Sequence, residues 1–349
     1  MKDLSRLMLV LVVWSAWAGW ATAKVPLGGL AVAVSPDGQT IVMAGDNRVL
    51  YVVEAASLEV KQRIWLTSTI YSLHFNKAGD KLLAEDTDDT VLLVDTQSWK
   101  VEKEVQKASV GSPSLAADTF AGLDTNYSGH VIRFLSMSDL SEKGKVTFEK
   151  GRRVVSHGLA PDGTRLAVLT EGVKDDSEPT AKETPKDLRG LALDEFRQKN
   201  DGRTSSFLLF EVPSGKKSDE QKLFFTTSQE CKVFFGGDDV YLVNYSNLNA
   251  KVSKDGQVTL FQMPNSFNYG IGVSADHKVL LTGGMSDGTC TVVDGMKMSP
   301  FKRDRLAGWP EYFKSFAVAA DGTGYGATSG FRLLKISSGG QVEKAVPIY

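Results

Sequence analysis

A four-residue turn that recurs along the chain constrains the fold more than any other sequence feature. Seven copies align, most of them about 40 residues apart. They occupy residues 35–38, 76–79, 116–119, 160–163, 236–239, 274–277 and 319–322. The clearest copies read Ser-Pro-Asp-Gly or Ala-Pro-Asp-Gly, and Asp and Gly are typical of tight turns. We therefore assign a structural role in these turns to Asp37, Gly38, Gly79, Asp118, Asp162, Gly163, Asp238, Asp276, Asp321 and Gly322.

Four short runs of mainly apolar residues accompany each turn. In the second unit, one run ends at Phe75 before the turn, and three more follow at 81–86, 90–98 and 100–107. Their content of Val, Leu, Phe and Thr favours strands, and each run is short for a helix. The fourth run is the most polar, which is expected of an outer strand that meets water. Four strands per unit of this length are typical of a propeller blade.

These units predict an all-β fold, a seven-bladed β-propeller of four-stranded blades over residues 24–349. A pair of β-sandwiches is the alternative, against which the repeated turn argues. The first unit begins with an inner strand near Leu27, and the last ends with an outer strand at 342–349. This order implies that no strand is exchanged between the chain ends, so that the ring closes by packing of blade 1 against blade 7.

The first 23 residues have the pattern of a secretory signal peptide. Lys2 and Arg6 precede an apolar stretch at 7–20, and Ala21-Thr22-Ala23 supplies small residues for cleavage before Lys24. An uncleaved membrane anchor is the alternative, but the apolar stretch is shorter than an ordinary membrane span. We predict removal of residues 1–23 and export to the bacterial periplasm, or secretion.

Charge and cysteine content exclude two classes of protein. The 349 residues include 40 Lys and Arg against 42 Asp and Glu, a balance that argues against a strongly basic nucleic-acid-binding surface. Two cysteines are too few for a disulfide scaffold, although export permits a disulfide. Cys231 and Cys290 lie in strand-like runs of different units. We expect two small buried side chains, with a bond between them as the alternative.

The turn, the apolar strand after it, and a third strand ending in Val94-Asp95-Thr96-Gln97-Ser98 resemble the repeats of bacterial WD-type and YVTN-type propeller proteins. The resemblance covers about residues 27–349. It departs from the WD pattern because Val94-Asp95 and Val293-Asp294 stand where Trp-Asp is expected. It implies the propeller fold and a rim of loops that serves as the usual partner face, and it implies no particular activity.

One segment, residues 171–204, interrupts the period between the second and third strands of unit four. Long loops in compact domains are usually functional or disordered. Leu188, Leu191, Ala192 and Phe196 share helical spacing, which predicts an amphipathic helix at about 187–200 capped by Asp187. A lid on its own blade or a spacer is the alternative to a binding element. The residues that we assign to partner binding are Asp187, Arg189, Leu191, Phe196 and Arg197.

The ionisable residues form no recognised catalytic or metal-binding motif. His74, His130, His157 and His277 lack the spacing of a zinc motif, and we interpret them as core or channel residues. The acidic stretch at 85–89 is interpreted as a strand turn, with Ca²⁺ binding as the alternative. The basic stretch at 301–305 is interpreted as a solvated outer strand. We therefore predict no metal site and no cofactor.

The sequence favours a non-enzymatic scaffold that binds an unknown protein or peptide through rim loops and the insertion in blade 4. Such a protein would be a monomer or a subunit of an envelope complex, without an integral membrane segment after signal cleavage. The alternative is a propeller-type hydrolase or lactonase with a metal or an acid–base pair at the central channel. His74, His157 and Lys232 are the polar residues that the inner strands offer for such chemistry.

Overall fold

A computed structural model of the chain describes residues 28–124, 131–148, 153–174, 183–200, 203–223, 231–245, 248–265, 267–306 and 310–348. The predicted signal peptide at 1–23 and His130 lie outside these described residues. Within these ranges, no helix has the length and apolar character needed to cross a membrane.

Seven antiparallel sheets form a seven-bladed β-propeller, as the repeats predicted. Blades 1 to 3 contain β1 (Gly29–Val34), β2 (Thr40–Gly45), β3 (Val49–Glu54), β4 (Val60–Trp65), β5 (Ile70–Phe75), β6 (Lys81–Asp86), β7 (Val91–Asp95), β8 (Lys100–Val105), β9 (Ser109–Val110), β10 (Thr119–Asp124), β11 (Val131–Ser136) and β12 (Glu142–Thr147).

Blades 4 to 7 continue the pattern, with one helix and one additional short strand inserted in blade 4. They contain β13 (Val154–Leu159), β14 (Arg165–Thr170), β15 (Val173–Lys174), α1 (Gly190–Asn200), β16 (Arg203–Glu211), β17 (Lys217–Leu223), β18 (Cys231–Gly236), β19 (Asp239–Asn244), β20 (Leu248–Val252), β21 (Val258–Gln262), β22 (Gly270–Val273), β23 (Val279–Gly283), β24 (Asp287–Val292), β25 (Lys297–Lys302), β26 (Phe313–Val318), β27 (Gly324–Thr328), β28 (Arg332–Ile336) and β29 (Val342–Pro347).

Each blade runs from an inner strand at the channel to an outer strand at the periphery. The second strand β2 is almost wholly buried, whereas the outer strand β4 is mostly exposed. This difference follows from the sequence, because TIVMAG is sandwiched between neighbouring blades and VKQRIW meets water on one side. The core is therefore a circle of apolar layers between successive blades.

The ring closes by packing of blade 1 against blade 7, as predicted. In the described residues, every sheet is built from strands that follow one another in the chain. Val32 and Ile41 of blade 1 share an apolar cluster with Ala317 and Tyr325 of blade 7. At this seam, a Cβ on Gly28 would lie 2.0 Å from the carbonyl oxygen of Ser329, so the close backbone approach requires glycine.

The turns after the inner strands have the expected chemistry, with two local differences. Asp37 Oδ1 accepts a hydrogen bond of 3.0 Å from the backbone N–H of Gln39, and Asp162, Asp276 and Asp321 do the same two residues ahead. Asp118 occupies the position of Gly38 rather than that of Asp37, with φ of 48°. Asp238 lies in a shorter turn and pairs with Arg165 and Lys254. Positive φ occurs at Gly38, Gly79, Gly163, Gly322 and His277.

Candidate functional site

The loops between second and third strands and the connections between blades lie at one end of the propeller, which we call the upper rim. The insertion of blade 4 rises from this rim. Val173 and Lys174 of β15 pair with Thr204 and Arg203, which lengthens the β14–β16 hairpin. Helix α1 begins at Gly190. Asp187 lies three residues before it and is therefore not its N-cap, contrary to the prediction.

Helix α1 packs against β21, the outer strand of the neighbouring blade 5. Asp194 Oδ2 accepts a hydrogen bond of 3.1 Å from Gln262 Nε2. The predicted apolar face is not buried as a unit, because Leu191 and Ala192 are exposed and Phe196 is half-buried. The insertion is therefore braced on blade 5 and leaves apolar side chains open on the upper rim.

The other residues assigned to partner binding are accessible at the same place. Asp187, Arg189 and Arg197 are exposed. Arg189 Nη1 donates to the backbone carbonyls of Lys186 and Leu188, at 2.6 and 2.7 Å. Its guanidinium therefore stabilises the segment before α1 and keeps its remaining N–H groups for another acceptor.

Four aromatic residues from three consecutive blades meet on the upper rim. Tyr269 lies 4.6 Å from Tyr245, 5.5 Å from Phe267 and 5.2 Å from Tyr312, measured between ring centroids. Tyr245 follows β19, Phe267 and Tyr269 connect blades 5 and 6, and Tyr312 connects blades 6 and 7. We call these residues the aromatic cluster. Phe267 is its most open member, with 44% of its surface exposed.

Buried amides hold the aromatic cluster on the strands below. Asn265 Nδ2 donates to the carbonyl of Phe267 at 2.8 Å, and Asn265 Oδ1 accepts from Thr282 and Thr289 of blade 6 at 3.0 and 2.7 Å. Asn268 Nδ2 donates to the carbonyl of Asn244 at 2.8 Å. The loop therefore has an ordered scaffold of fully buried polar groups, which presents the exposed ring in one position.

A buried ion-pair group fixes the next connection, which carries Tyr312. Arg303 Nη1 and Arg332 Nη2 lie 2.5 and 2.6 Å from Glu311 Oε2, and the side chains of Arg303 and Glu311 are 1% exposed. Burial would raise the pKa of Glu311, but hydrogen bonds from Arg332 and Thr328 and the charge of Arg303 lower it. The interpretation of 301–305 as solvated is therefore wrong for Arg303 and also for Phe301, which is buried.

Additional large apolar side chains are exposed on the upper rim. Trp65 ends the outer strand of blade 1 and is 76% exposed. Met285 and Leu306 lie in loops of blade 6 and of the connection to blade 7, and both are open to solvent. Aromatic residues, Met and Arg are the types enriched in protein interfaces. The upper rim therefore has the composition of a docking surface.

The central channel contains a second group of polar residues. Its cavity has a volume of ≈ 330 Å³ and is lined by all blades except blade 4. Tyr71, His74 and Glu85 come from blade 2, Lys232 from blade 5, and Lys314 from blade 7. Of the polar residues that the sequence predicted for the channel, His74 and Lys232 line this cavity and His157 does not. The structure adds Tyr71, Glu85 and Lys314 to its ionisable lining.

Glu85 is the single carboxylate among the described residues that line this cavity. Its Oε1 accepts from the Tyr71 hydroxyl at 2.5 Å and from the N–H of Val110 at 3.0 Å. Burial raises the pKa of Glu85 to about 7, although these hydrogen bonds oppose the rise. Burial also raises the pKa of Tyr71, with the nearby Glu85 charge adding to the effect.

Each of the described histidines forms a hydrogen bond with a different group. His157 Nε2 donates to the carbonyl of Ala121 at 2.8 Å, and His277 Nδ1 bonds the carbonyl of Phe235 at 2.9 Å. His74 Nε2 lies 3.0 Å from Ser72 Oγ. In the part of the chain that the structure describes, no three His, Cys, Asp or Glu residues are grouped to share a metal ion.

The acidic stretch at 85–89 forms a strand end and turn. Asp86 Oδ1 accepts from the N–H groups of Asp88 and Thr90, at 2.9 and 3.0 Å. These contacts are those of a structural turn. Cys231 and Cys290 form no disulfide, and lie on β18 and β24.

Sequence reasoning missed the aromatic cluster. Tyr269 and Tyr312 directly precede the inner strands of blades 6 and 7, and Tyr245 directly follows the second strand of blade 5. Aromatic residues at equivalent rim positions of consecutive repeats were the available signal.

Comparison with known proteins identifies the fold. No family model matches the sequence, and no curated protein matches it. One similar solved structure is Kuenenia stuttgartiensis hydrazine synthase, with a TM-score of 0.61, 14% identity, and coverage of 88% of this chain and 94% of that chain. Another is the β-propeller domain of Cps50 (Swd1) from Myceliophteria thermophila, with a TM-score of 0.57, 11% identity, and coverage of 86% and 92%. The shared feature is the β-propeller fold.

Proposed function

We propose that this protein is an exported scaffold of the bacterial periplasm or envelope that binds a protein or peptide partner on its upper rim. The aromatic cluster on the upper rim is the observation that carries the proposal. An exposed aromatic ring on a rigid support loses little conformational freedom on binding, and such rings dominate the binding energy of many interfaces. Leu191, Phe196 and Arg197 of the insertion would extend the contact.

The buried hydrogen bonds and ion pairs beneath the rim loops support the proposal, in addition to the residue types that the rim exposes. Buried Asn265 and Asn268 hold Phe267 from below, and the Arg303–Glu311–Arg332 group holds the connection to Tyr312. Buried polar networks of this kind define a single arrangement of the loops above them. A surface that is ordered in advance binds more tightly than one that must be ordered by its partner.

Site-specific photocrosslinking in cells that produce the protein tests the contact surface. A crosslinking amino acid at position 267 should yield a discrete adduct, whose partner mass spectrometry identifies. The matched control is position 101, where Val101 is also partly exposed but lies at the opposite end of an outer strand. Equal adducts at both positions, or none at 267, would contradict binding on the upper rim.

Two further experiments test the insertion and the location. A variant in which a short Gly-Asn linker replaces residues 173–203 should remain folded and lose at least tenfold in affinity for the identified partner.

Cell fractionation and N-terminal sequencing should find the protein in the periplasm with Lys24 as its first residue. A cytoplasmic protein with an intact N-terminus would contradict the export step alone and leave the crosslinking result independent of it.

The hydrolase alternative rests on Glu85, whose raised pKa of about 7 suits acid–base chemistry. Its Oε1 already accepts from Tyr71 and from the backbone of Val110. Metal analysis of the purified protein and a screen of ester and lactone substrates distinguish this alternative. A stoichiometric bound metal, or turnover that E85Q abolishes, would favour the enzyme over the scaffold.

A further inference from the structure

We propose that the central channel is a binding site for a small anion with two or more negative charges, carboxylate or phosphate, held by Lys232 and Lys314. The two lysines come from the inner strands of blades 5 and 7, and both line the same cavity of ≈ 330 Å³. A volume of this size lies at the lower end of the range for small-molecule sites. The site is separate from the upper-rim surface and does not depend on the scaffold role.

A β-bulge places Lys314 at the channel wall. In blade 7, Phe313 pairs with Thr328 and Ser315 with Ala327, which leaves Lys314 as the additional residue. The same irregularity in blade 2 leaves out Tyr71, between Ile70 and Ser72. Bulges free a residue from the regular ladder and redirect its side chain. Two bulges in the ring therefore supply polar side chains to one cavity.

Blade 6, which lies between the blades of the two lysines, contributes small and apolar residues to the lining as well as Ser274 and His277. Blade 6 contributes Gly272 to the lining, next to Ile271 and Val273. A Cβ on Gly272 would lie 2.2 Å from the carbonyl oxygen of Phe316 on blade 7. This close approach requires glycine at position 272 and packs the inner strands of blades 6 and 7 directly against each other.

The charges that line the channel are unbalanced. In the part of the chain that the structure describes, neither Lys232 nor Lys314 forms an ion pair or a side-chain hydrogen bond. Glu85 is the one carboxylate of the described lining, and Tyr71 already donates to it. Burial lowers the pKa of His74 to about 3 and that of His277 to about 4, so both imidazoles are neutral near pH 7.

An uncompensated ammonium inside a protein is costly, and an anion removes this cost. Burial lowers the pKa of Lys232, while the charge of Glu85 opposes the change. A bound anion would restore the charged form of this lysine. Ammonium groups act on phosphate and carboxylate as point charges without a fixed geometry. Two of them favour an anion with more than one charge, and the Ser315 hydroxyl of the lining is an additional donor.

Isothermal titration with inorganic phosphate and with succinate, at constant ionic strength in chloride, tests the site. Saturable binding of either dianion to the wild-type protein is expected, and the two titrations decide between phosphate and carboxylate. Lys232→Met and Lys314→Met should each weaken the binding at least tenfold. Lys297→Met is the matched control, because Lys297 is exposed on an outer strand, and should bind as the wild type does.

Thermal unfolding of each variant without added anion checks that it is folded. Lys314→Met alone keeps the test valid if the more enclosed Lys232 does not tolerate replacement. Absence of saturable binding for both dianions would overturn the proposal. Binding that persists unchanged in a folded lysine variant would also overturn it, because the anion would then occupy another place.

Discussion

Tyr71 donates a hydrogen bond of 2.5 Å to Glu85 across the two innermost strands of blade 2. The acceptor carboxyl is 2% exposed, and its burial raises the pKa to about 7. Between pH 4.5 and about 7, Glu85 therefore keeps its proton in the folded state and loses it in the unfolded chain. This contribution to stability is complete below the ordinary Glu pKa of 4.5 and is lost as the pH rises through about 7.

Glu85→Gln should remove this dependence, because the amide stays neutral and keeps an oxygen for Tyr71. Relative to the wild type, its free energy of unfolding should increase between pH 4.5 and 8 by about 3 kcal/mol. Urea unfolding at a series of pH values measures the difference. Glu104→Gln on the exposed strand β8 should run parallel to the wild type. Parallel curves for Glu85→Gln and the wild type would show that the pKa of Glu85 does not change on unfolding.

The buried histidines should dominate the response to acid. Burial lowers the pKa of His157 to about 4, although its bond to Ala121 opposes the change, and His74 and His277 are lowered as well. Unfolding then takes up protons, so stability is complete above about pH 6.5 and falls as the pH decreases towards 4. His157→Gln should reduce this slope by about 1.4 kcal/mol per pH unit. An unchanged slope would mean that His157 does not titrate on unfolding.

Glu311 should be essential for stability. Glu311→Ala leaves Arg303 buried without its partner, and removing one member of a buried pair costs about 3–5 kcal/mol. Lys254→Ala, which breaks an exposed pair with Asp238, is the control and should change stability little. Chemical denaturation measures both. Similar losses in the two variants would show that burial of the Arg303–Glu311 pair has no special importance.

Asn265→Ala should release the loop that carries Phe267. The change removes donors to Phe267 and Asn268 and leaves the hydroxyls of Thr282 and Thr289 without their acceptor. We expect a loss of about 2–3 kcal/mol and faster hydrogen exchange around 263–269. Asn47→Ala removes a hydrogen bond to Tyr51 and one from the N–H of Val49 in a rim loop of blade 1, and should have a smaller effect because both bonds are only partly buried. Wild-type exchange in the loop would contradict the supporting role.

The fold was predictable because every blade of a propeller contains the same pattern of strands and turns. Short apolar runs beside an Asp-Gly turn, or beside a degenerate copy of it, identify each blade, and Gly38 with positive φ is one example of the turn. The alignment of Asp118 with Asp37 was wrong by one residue, because a degenerate turn sequence can be aligned with the other turns in two ways. The hydrogen bond from its N–H to the carbonyl of Leu115 and its φ of 48° distinguish them.

The candidate sites were less predictable because their residues are distant in the chain. Arg303 lies in a basic stretch that is indistinguishable from a surface strand until Glu311 and Arg332 are brought beside it. Lys314 was overlooked because a bulge, and not strand alternation, places it in the channel wall. Sequence patterns describe periodic neighbours well, whereas these contacts depend on irregular positions.

The closure between blades 1 and 7 has a consequence for incomplete chains. Since no described strand crosses the seam, blade 7 covers an apolar face on blade 1 and another on blade 6. A chain truncated before β26 would leave both faces uncovered, and exposed apolar surfaces promote aggregation. Loss of residues 313–349 alone should therefore be enough to make the truncated protein aggregate.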